Sequence, residues 1–162
     1  EFTKISWSIA TAEVANQLSN NLKGMNIHGI YSGSGLWEEL ISCYHDKPVV
    51  ATDINGNNIE QSFRNIIESK ASDSIDMIDD VPNTCLFTSW PTYLCEDVTK
   101  AVSKYRNKGG KKIIFIGEGY GDCTGCDSLW EEEFDKHWIE EKYITIPQWD
   151  GLHDYVQIYV LN

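Results

Sequence analysis

Apolar positions along the chain keep two rhythms, and their alternation lays out the fold. Residues 2–22 carry a helical pattern: Ile9, Ala12, Ala15 and Leu18 fall near one face, Thr11 is placed to cap it, and Asn20, Asn21 and Gly24 stop it. Residues 27–31 form a short apolar strand. Leu36, Trp37, Leu40 and Ile41 then recur at helical spacing over residues 35–44, and Val49–Asp53 is a second buried-type strand. Ile59, Phe63, Ile66 and Ile67 take the i, i+4, i+7, i+8 spacing of an amphipathic helix. The acidic residues 72–80, with Ile75, Met77 and Ile78 scattered among them, have room for a short edge strand. Residues 84–90 (TCLFTSW) predict a buried strand stopped by Pro91, and residues 93–105 a helix with Leu94, Val98, Ala101, Val102 and Tyr105 on one side. Residues 111–117 (KKIIFIG) are a continuous apolar run, as buried parallel strands are. Leu129, Trp130, Phe134 and Trp138 predict another helix, capped near Asp127 or Ser128. Two strands follow, at 143–146 and Tyr155–Leu161. The turn between them, residues 147–154, is too short for a parallel crossover, so these two strands pair antiparallel.

Residues 27–53 are the stretch around which the rest is organised. They predict strand, glycine turn, helix and strand, and end in an acid. Gly33 and Gly35 let the backbone approach a ligand, the helix start offers free N–H groups, and Asp53, twenty residues after Gly33, is placed to take two ribose hydroxyls. A bland glycine turn between strand and helix has the same pattern.

Charge and cysteines narrow the partners. The 162 residues fit one domain, 1–162, with a real core; the apolar fraction is 41%. No stretch approaches the roughly 20 apolar residues needed to cross a bilayer, and no signal-peptide pattern is present, so no membrane is expected. A net charge of −12 disfavours nucleic acid, and the basic residues between Lys100 and Lys112 fit a solvated helix face better than a nucleic-acid patch. Five cysteines, of which only Cys123 and Cys126 are paired by spacing, point to a reducing, cytoplasmic-type compartment.

The silhouette resembles the class I, Rossmann-like methyltransferases that use S-adenosylmethionine, over nearly the whole chain. GSGLW (33–37) is similar to that family's glycine motif, and Asp53 matches its ribose-binding acid. SWPTY (89–93) resembles its fourth-strand motif. GEGYGDCTGCD (117–127) and IPQWDGLHD (146–154) look like a small methyltransferase-like group within it. The resemblance implies an α/β, three-layer fold with a mostly parallel sheet ending in an antiparallel hairpin. It implies S-adenosylmethionine as cofactor, held by Tyr31, Ser32, Gly33, Ser34, Gly35, Asp53, Ile54 and Ser89. The chain departs from the family where Gly29 replaces the usual acid at the first strand's end and Tyr31 a frequent glycine. Trp90 and Thr92 stand where an amine-binding Asn or Asp and a second Pro are usual, which argues against adenine N6 methylation. Only thirty residues separate Asp53 from Thr84, so the third-strand region is expected to be shortened, with a stunted strand or a lost following helix.

Ligands bind at the carboxyl ends of parallel strands. Five pieces are expected there: residues 31–35, Asp53, 89–93, 118–126 and 148–154. The catalytic candidates are Trp90, Pro91 and Tyr93 beside the methyl donor, with Glu118 or the His153–Asp154 pair to take a proton from an amine or hydroxyl. Trp90, Tyr93 and Trp149 serve equally as core or as aromatic faces for a cation. His153 and Asp154 can equally just organise the turn. The reading is a methyltransferase acting on a small-molecule or protein substrate. The alternatives are a catalytically inactive binding or interaction module of the same fold, and a thiol or zinc protein through Cys123 and Cys126. The latter lacks a full ligand set, so no metal is expected.

Overall fold

The computed structural model describes residues 5–162. Its strands are β1 (Asn26–Ile30), β2 (Val49–Asp53), β3 (Ile67–Glu68), β4 (Thr84–Ser89), β5 (Lys112–Gly117), β6 (Trp138–Thr145) and β7 (Tyr155–Leu161). They form a seven-stranded sheet in the order β3-β2-β1-β4-β5-β7-β6. β3, β2, β1, β4 and β5 run parallel; β7 pairs antiparallel with both β5 and β6. This is a mostly parallel sheet ending in an antiparallel hairpin, the expected silhouette.

Alternation along the central strands builds the two outer layers. Cys85 and Phe87 of β4 and Ile114 and Ile116 of β5 face the helices α1 (Ala12–Asn21) and α2 (Leu36–Ser42), against Leu18, Trp37 and Ile41. Leu86, Ile113 and Phe115 face the other way, onto α4 (Asp97–Asn107) and Leu129, Trp130 and Phe134. Burial of both faces explains why β4 and β5 show continuous apolar runs in place of alternation. Thr11 caps α1 as expected, its hydroxyl accepting from the Val14 N–H. Phe2, where that expected segment begins, lies outside the described residues.

Four expectations need correction. No helix forms on Ile59, Phe63, Ile66 and Ile67; the chain there is irregular. Of the four only Ile66 is buried, because Arg64 anchors the segment by donating to the carbonyls of Glu38 and Val49. The edge strand is β3, a two-residue pair with β2, and residues 72–80 hold instead the single turn α3 (Ala71–Ser74) and a 3-10 turn. The shortening is thus real, but the missing helix precedes the third strand. α4 begins at Asp97, since Leu94 takes a left-handed backbone (φ 57°) and bonds to the Gly125 carbonyl. Finally, the helix on Leu129 is a π-helical turn, Leu129–Phe134, continued by α5 (Asp135–His137), and Trp138 already opens β6. Glu140, Glu141 and Lys142 disguise that edge strand, where charge is an ordinary guard against aggregation.

Candidate active site

A cavity of about 880 Å³ opens at the carboxyl ends of β1, β2 and β4, where the strand order turns back on itself. Its floor is the turn Tyr31, Ser32, Gly33 and Ser34. Asp53 closes one side, Ser89 and Trp90 the other, and Trp37 and Glu38 rise from α2. Ile59, Glu60 and Gln61, from the stretch that does not become a helix, form an outer wall, and Ile5, Ser6 and Trp7 a strap across the top.

Local chemistry holds these pieces in register. The Gly33 N–H donates to Asp53 Oδ2 at 3.0 Å and the Asn55 N–H to Oδ1 at 2.9 Å, which leaves carboxylate lone pairs for ligand hydroxyls. Gly35 is required by its backbone (φ 72°) and by crowding, since a Cβ there would stand 2.7 Å from Ile66 Cδ1. The strap is tied down by bonds from Ser34 Oγ to the Ile5 carbonyl and from Trp37 Nε1 to Ser8 Oγ, both 2.6 Å.

Tyr31 occupies a position suited to glycine and takes a left-handed backbone, φ 55°. Its side chain packs onto the core beside α4, and its hydroxyl meets Cys95 Sγ at 3.4 Å. Burial pushes that hydroxyl's pKa up. Trp90 shares the strain, at φ 51°. Its indole stacks on Trp7 with centroids 5.7 Å apart, and its Nε1 donates to Asp154 Oδ2 at 3.1 Å. Trp90 thereby joins the cavity to the hairpin turn. Burial, with Glu118 nearby, pushes the Asp154 carboxyl above the usual range.

The remaining expected residues sit around this joint. Glu118, at the end of β5, is buried; its Oε1 accepts from the His153 N–H at 2.9 Å and its Oε2 from the Cys123 N–H at 3.3 Å, stapling two loops together. The His153 ring is exposed, Nδ1 4.0 Å from Glu118 Oε1, whereas Asp154 is turned inward, so the two do not act as one pair. Pro91 is buried beneath the loops, its carbonyl taking the Gly125 N–H. Tyr93 and Ile54 project into solvent off the cavity lining. Cys126 is buried against Thr99 and Ser128 while Cys123 is exposed. Among the described residues no three His, Cys, Asp or Glu side chains gather where a metal could bind. Nor is any helix among them long and apolar enough to cross a membrane.

Glu38 is the site residue that the sequence pattern hides. It is 1% exposed, yet its Oε1 has no hydrogen-bond partner among the described residues. Desolvation raises its pKa to about 7, against weaker opposing effects of the Ser32 hydroxyl and Arg64. The space its carboxyl fills exists because residue 29 is glycine: a Cβ there would lie 2.3 Å from Oε1.

The same architecture recurs in solved methyltransferases. TrmN from Thermus thermophilus superposes with a TM-score of 0.63 at 14% identity, over 100% of this chain and 52% of that one, so the chain spans about half of that relative's length. An rRNA methylase from Streptococcus thermophilus gives 0.58 at 12% identity, over 94% of this chain and 98% of the other. Magnesium protoporphyrin IX methyltransferase from Synechocystis PCC 6803, with bound SAM, gives 0.59 at 9%, over 92% and 78%. The chain has the class I, Rossmann-like methyltransferase fold. No protein-family model matches the sequence, and no curated protein matches it by sequence.

Proposed function

We propose that the chain is an S-adenosylmethionine-dependent methyltransferase acting on a small molecule or a protein side chain. The observation that carries this is the coincidence of the cavity with the glycine turn and Asp53 at the switch point of the sheet. The lining fits the cofactor. It combines a volume of about 880 Å³, suited to a ligand of that size, with a strand-tip carboxylate that retains free lone pairs and a buried carboxyl with an orphaned oxygen. When bound, the cofactor supplies an electrophilic methyl group. Asp53 would hold the ribose hydroxyls, Tyr31 to Gly35 would cradle the chain beyond them, and Ser89 would border the transferring end. Ile54 stays at the rim.

Trp90, stacked on Trp7, gives an aromatic face for a cationic or methyl-bearing group. Pro91 sets the turn that places it. Tyr93 and His153 stand outside, where an acceptor would approach, and the His153 imidazole is the group best placed to take a proton from it. Glu118 positions His153 through the backbone. The structural neighbours include an rRNA methylase, but the net charge of −12 supports a small or proteinaceous acceptor over a polyphosphate backbone.

Calorimetric titration with S-adenosylmethionine and S-adenosylhomocysteine tests the reading. Saturable binding that Asp53→Ala removes is the expected result. Absence of binding at millimolar ligand overturns it and favours a non-catalytic interaction module of this fold.

A further inference from the structure

The cavity wall holds a buried carboxyl group whose bonding is incomplete, and its surroundings say what would complete it. Glu38 lies on the lining, almost wholly out of solvent, with Oε1 unpartnered among the described residues. The Ser32 hydroxyl serves the same carboxyl group, and the Ser32 oxygen in turn accepts the Thr52 N–H at 3.1 Å. The guanidinium of Arg64 does not close the gap: Nη1 donates to the Glu38 backbone carbonyl at 3.0 Å and lies 3.7 Å from Glu39. A buried acceptor without a partner is costly, and a donor delivered by a ligand relieves that cost. A cationic N–H donor does so best, because charge-assisted bonds are the stronger kind.

We propose that Glu38, reaching from α2 into the space left free by Gly29, is the residue that binds a ligand's ammonium group in this cavity. The inference rests on the proposed function, in which the group bound is the α-amino group of the cofactor. Two halves of the arrangement need each other. A side chain at position 29 would collide with the carboxyl, and without the carboxyl a glycine there would leave an unfilled hollow at the strand end. Position 29 is thus the one place on β1 where the strand yields its site to the helix.

A second consequence follows from titration. The charged groups facing Glu38 are Asp53 from β2, which favours its neutral form, and Arg64 from the connecting segment, which favours its charged form; desolvation outweighs both. With its pKa at about 7, the free carboxyl is partly protonated at neutral pH, and only the carboxylate pairs with an ammonium. Ligand uptake therefore releases a proton.

The test compares S-adenosylhomocysteine with its deamino analogue, in which hydrogen replaces the amino group, by calorimetry at several pH values. The wild-type protein is expected to bind the analogue at least ~10-fold more weakly at about pH 8, the usual worth of a charge-assisted bond. Its affinity for S-adenosylhomocysteine should fall ~10-fold between about pH 8 and pH 6, with proton release seen as a dependence on buffer ionisation heat, while the analogue's affinity stays level. In Glu38→Gln only the amino compound should weaken, and its pH dependence should vanish. Equal binding of the two compounds by wild type, or an amino-compound affinity level with pH, overturns the inference while leaving the proposed function standing. Neither result depends on the variant's folding. Failure of both compounds to bind at all overturns the proposed function and this inference with it.

Discussion

The backbone N–H of Gly33 donates to Oδ2 of Asp53 across 3.0 Å, joining the turn after β1 to the end of β2, twenty residues away in sequence. Asp53 is thereby both a structural clasp and the acid at the cavity's edge. Asp53→Asn keeps the size of the group but sets an amide donor against N–H groups of Gly33 or Asn55. A loss of about 1–2 kcal/mol in unfolding free energy is expected, with far larger damage to binding: S-adenosylhomocysteine affinity should drop at least ~100-fold. Denaturant melts beside calorimetry separate the two effects; unchanged affinity would contradict the assigned role.

Gly35→Ala should destabilise by about 2 kcal/mol or more. Left-handed backbone alone costs about 1–2 kcal/mol for a residue with a Cβ, and the added methyl meets Ile66 and Arg64 at 2.7 and 2.9 Å. Since those residues anchor the outer wall, faster amide exchange around Phe63, whose N–H bonds the Ser34 carbonyl, should accompany the loss.

Arg106 grips Glu133 with two bonds, at 3.0 and 3.2 Å, on the face away from the cavity, and Glu133 is 3% exposed. Arg106→Met should cost about 3 kcal/mol, because it leaves a buried carboxylate unpaired. The double change with Glu133→Gln should recover part of that. A double variant whose loss equals the sum of the losses of Arg106→Met and Glu133→Gln measured singly would show that the pair is not coupled.

Two buried groups pull stability in opposite directions with pH. His28, its Nε2 3.1 Å from Ser74 Oγ, has its pKa lowered by burial from 6.5 to about 4, so stability present above 6.5 is lost as pH falls toward 4. Glu38, raised from 4.5 to about 7, does the reverse: its contribution is full below 4.5 and is lost as pH rises through 7. Each is of order 3 kcal/mol at the conversion of about 1.36 kcal/mol per unit. From these two groups the ligand-free protein should show nearly level stability between about pH 4.5 and 6.5. Glu38→Gln should make the acid loss visible and raise stability at about pH 8. Denaturant midpoints across that range give the measurement; a variant with the wild-type profile would refute the assignment.

The sheet was legible in the sequence because its strands are buried on both faces and its turns carry glycine. Val49–Asp53 and Tyr155–Leu161 have the bounds read from the pattern. What escaped was of two kinds. Ile59, Phe63, Ile66 and Ile67 have helical spacing by coincidence, and tertiary bonds from Arg64 overrule it. Glu38 escaped because an acid beside Glu39 in a helix suggests a solvated face. The available signal was its place between Trp37 and Ile41, which puts it on the buried side, opposite a strand glycine with no other evident purpose. The acceptor side was legible only as a collection of residues. That Asp154 turns inward to Trp90 while His153 turns out depends on side-chain direction in a turn, which residue order does not encode.

Three of the six tryptophans, Trp7, Trp37 and Trp90, stand on the cavity wall, and two of them are stacked. Paired indoles at 5.7 Å, tilted by 26°, couple their excited states, so the protein carries its own optical gauge of occupancy. Its near-ultraviolet circular dichroism and its intrinsic emission should both change when a ligand fills the cavity beside them. A screen for acceptors then needs no label: a compound that perturbs the spectrum of wild type but not that of Trp7→Phe reports contact at this wall.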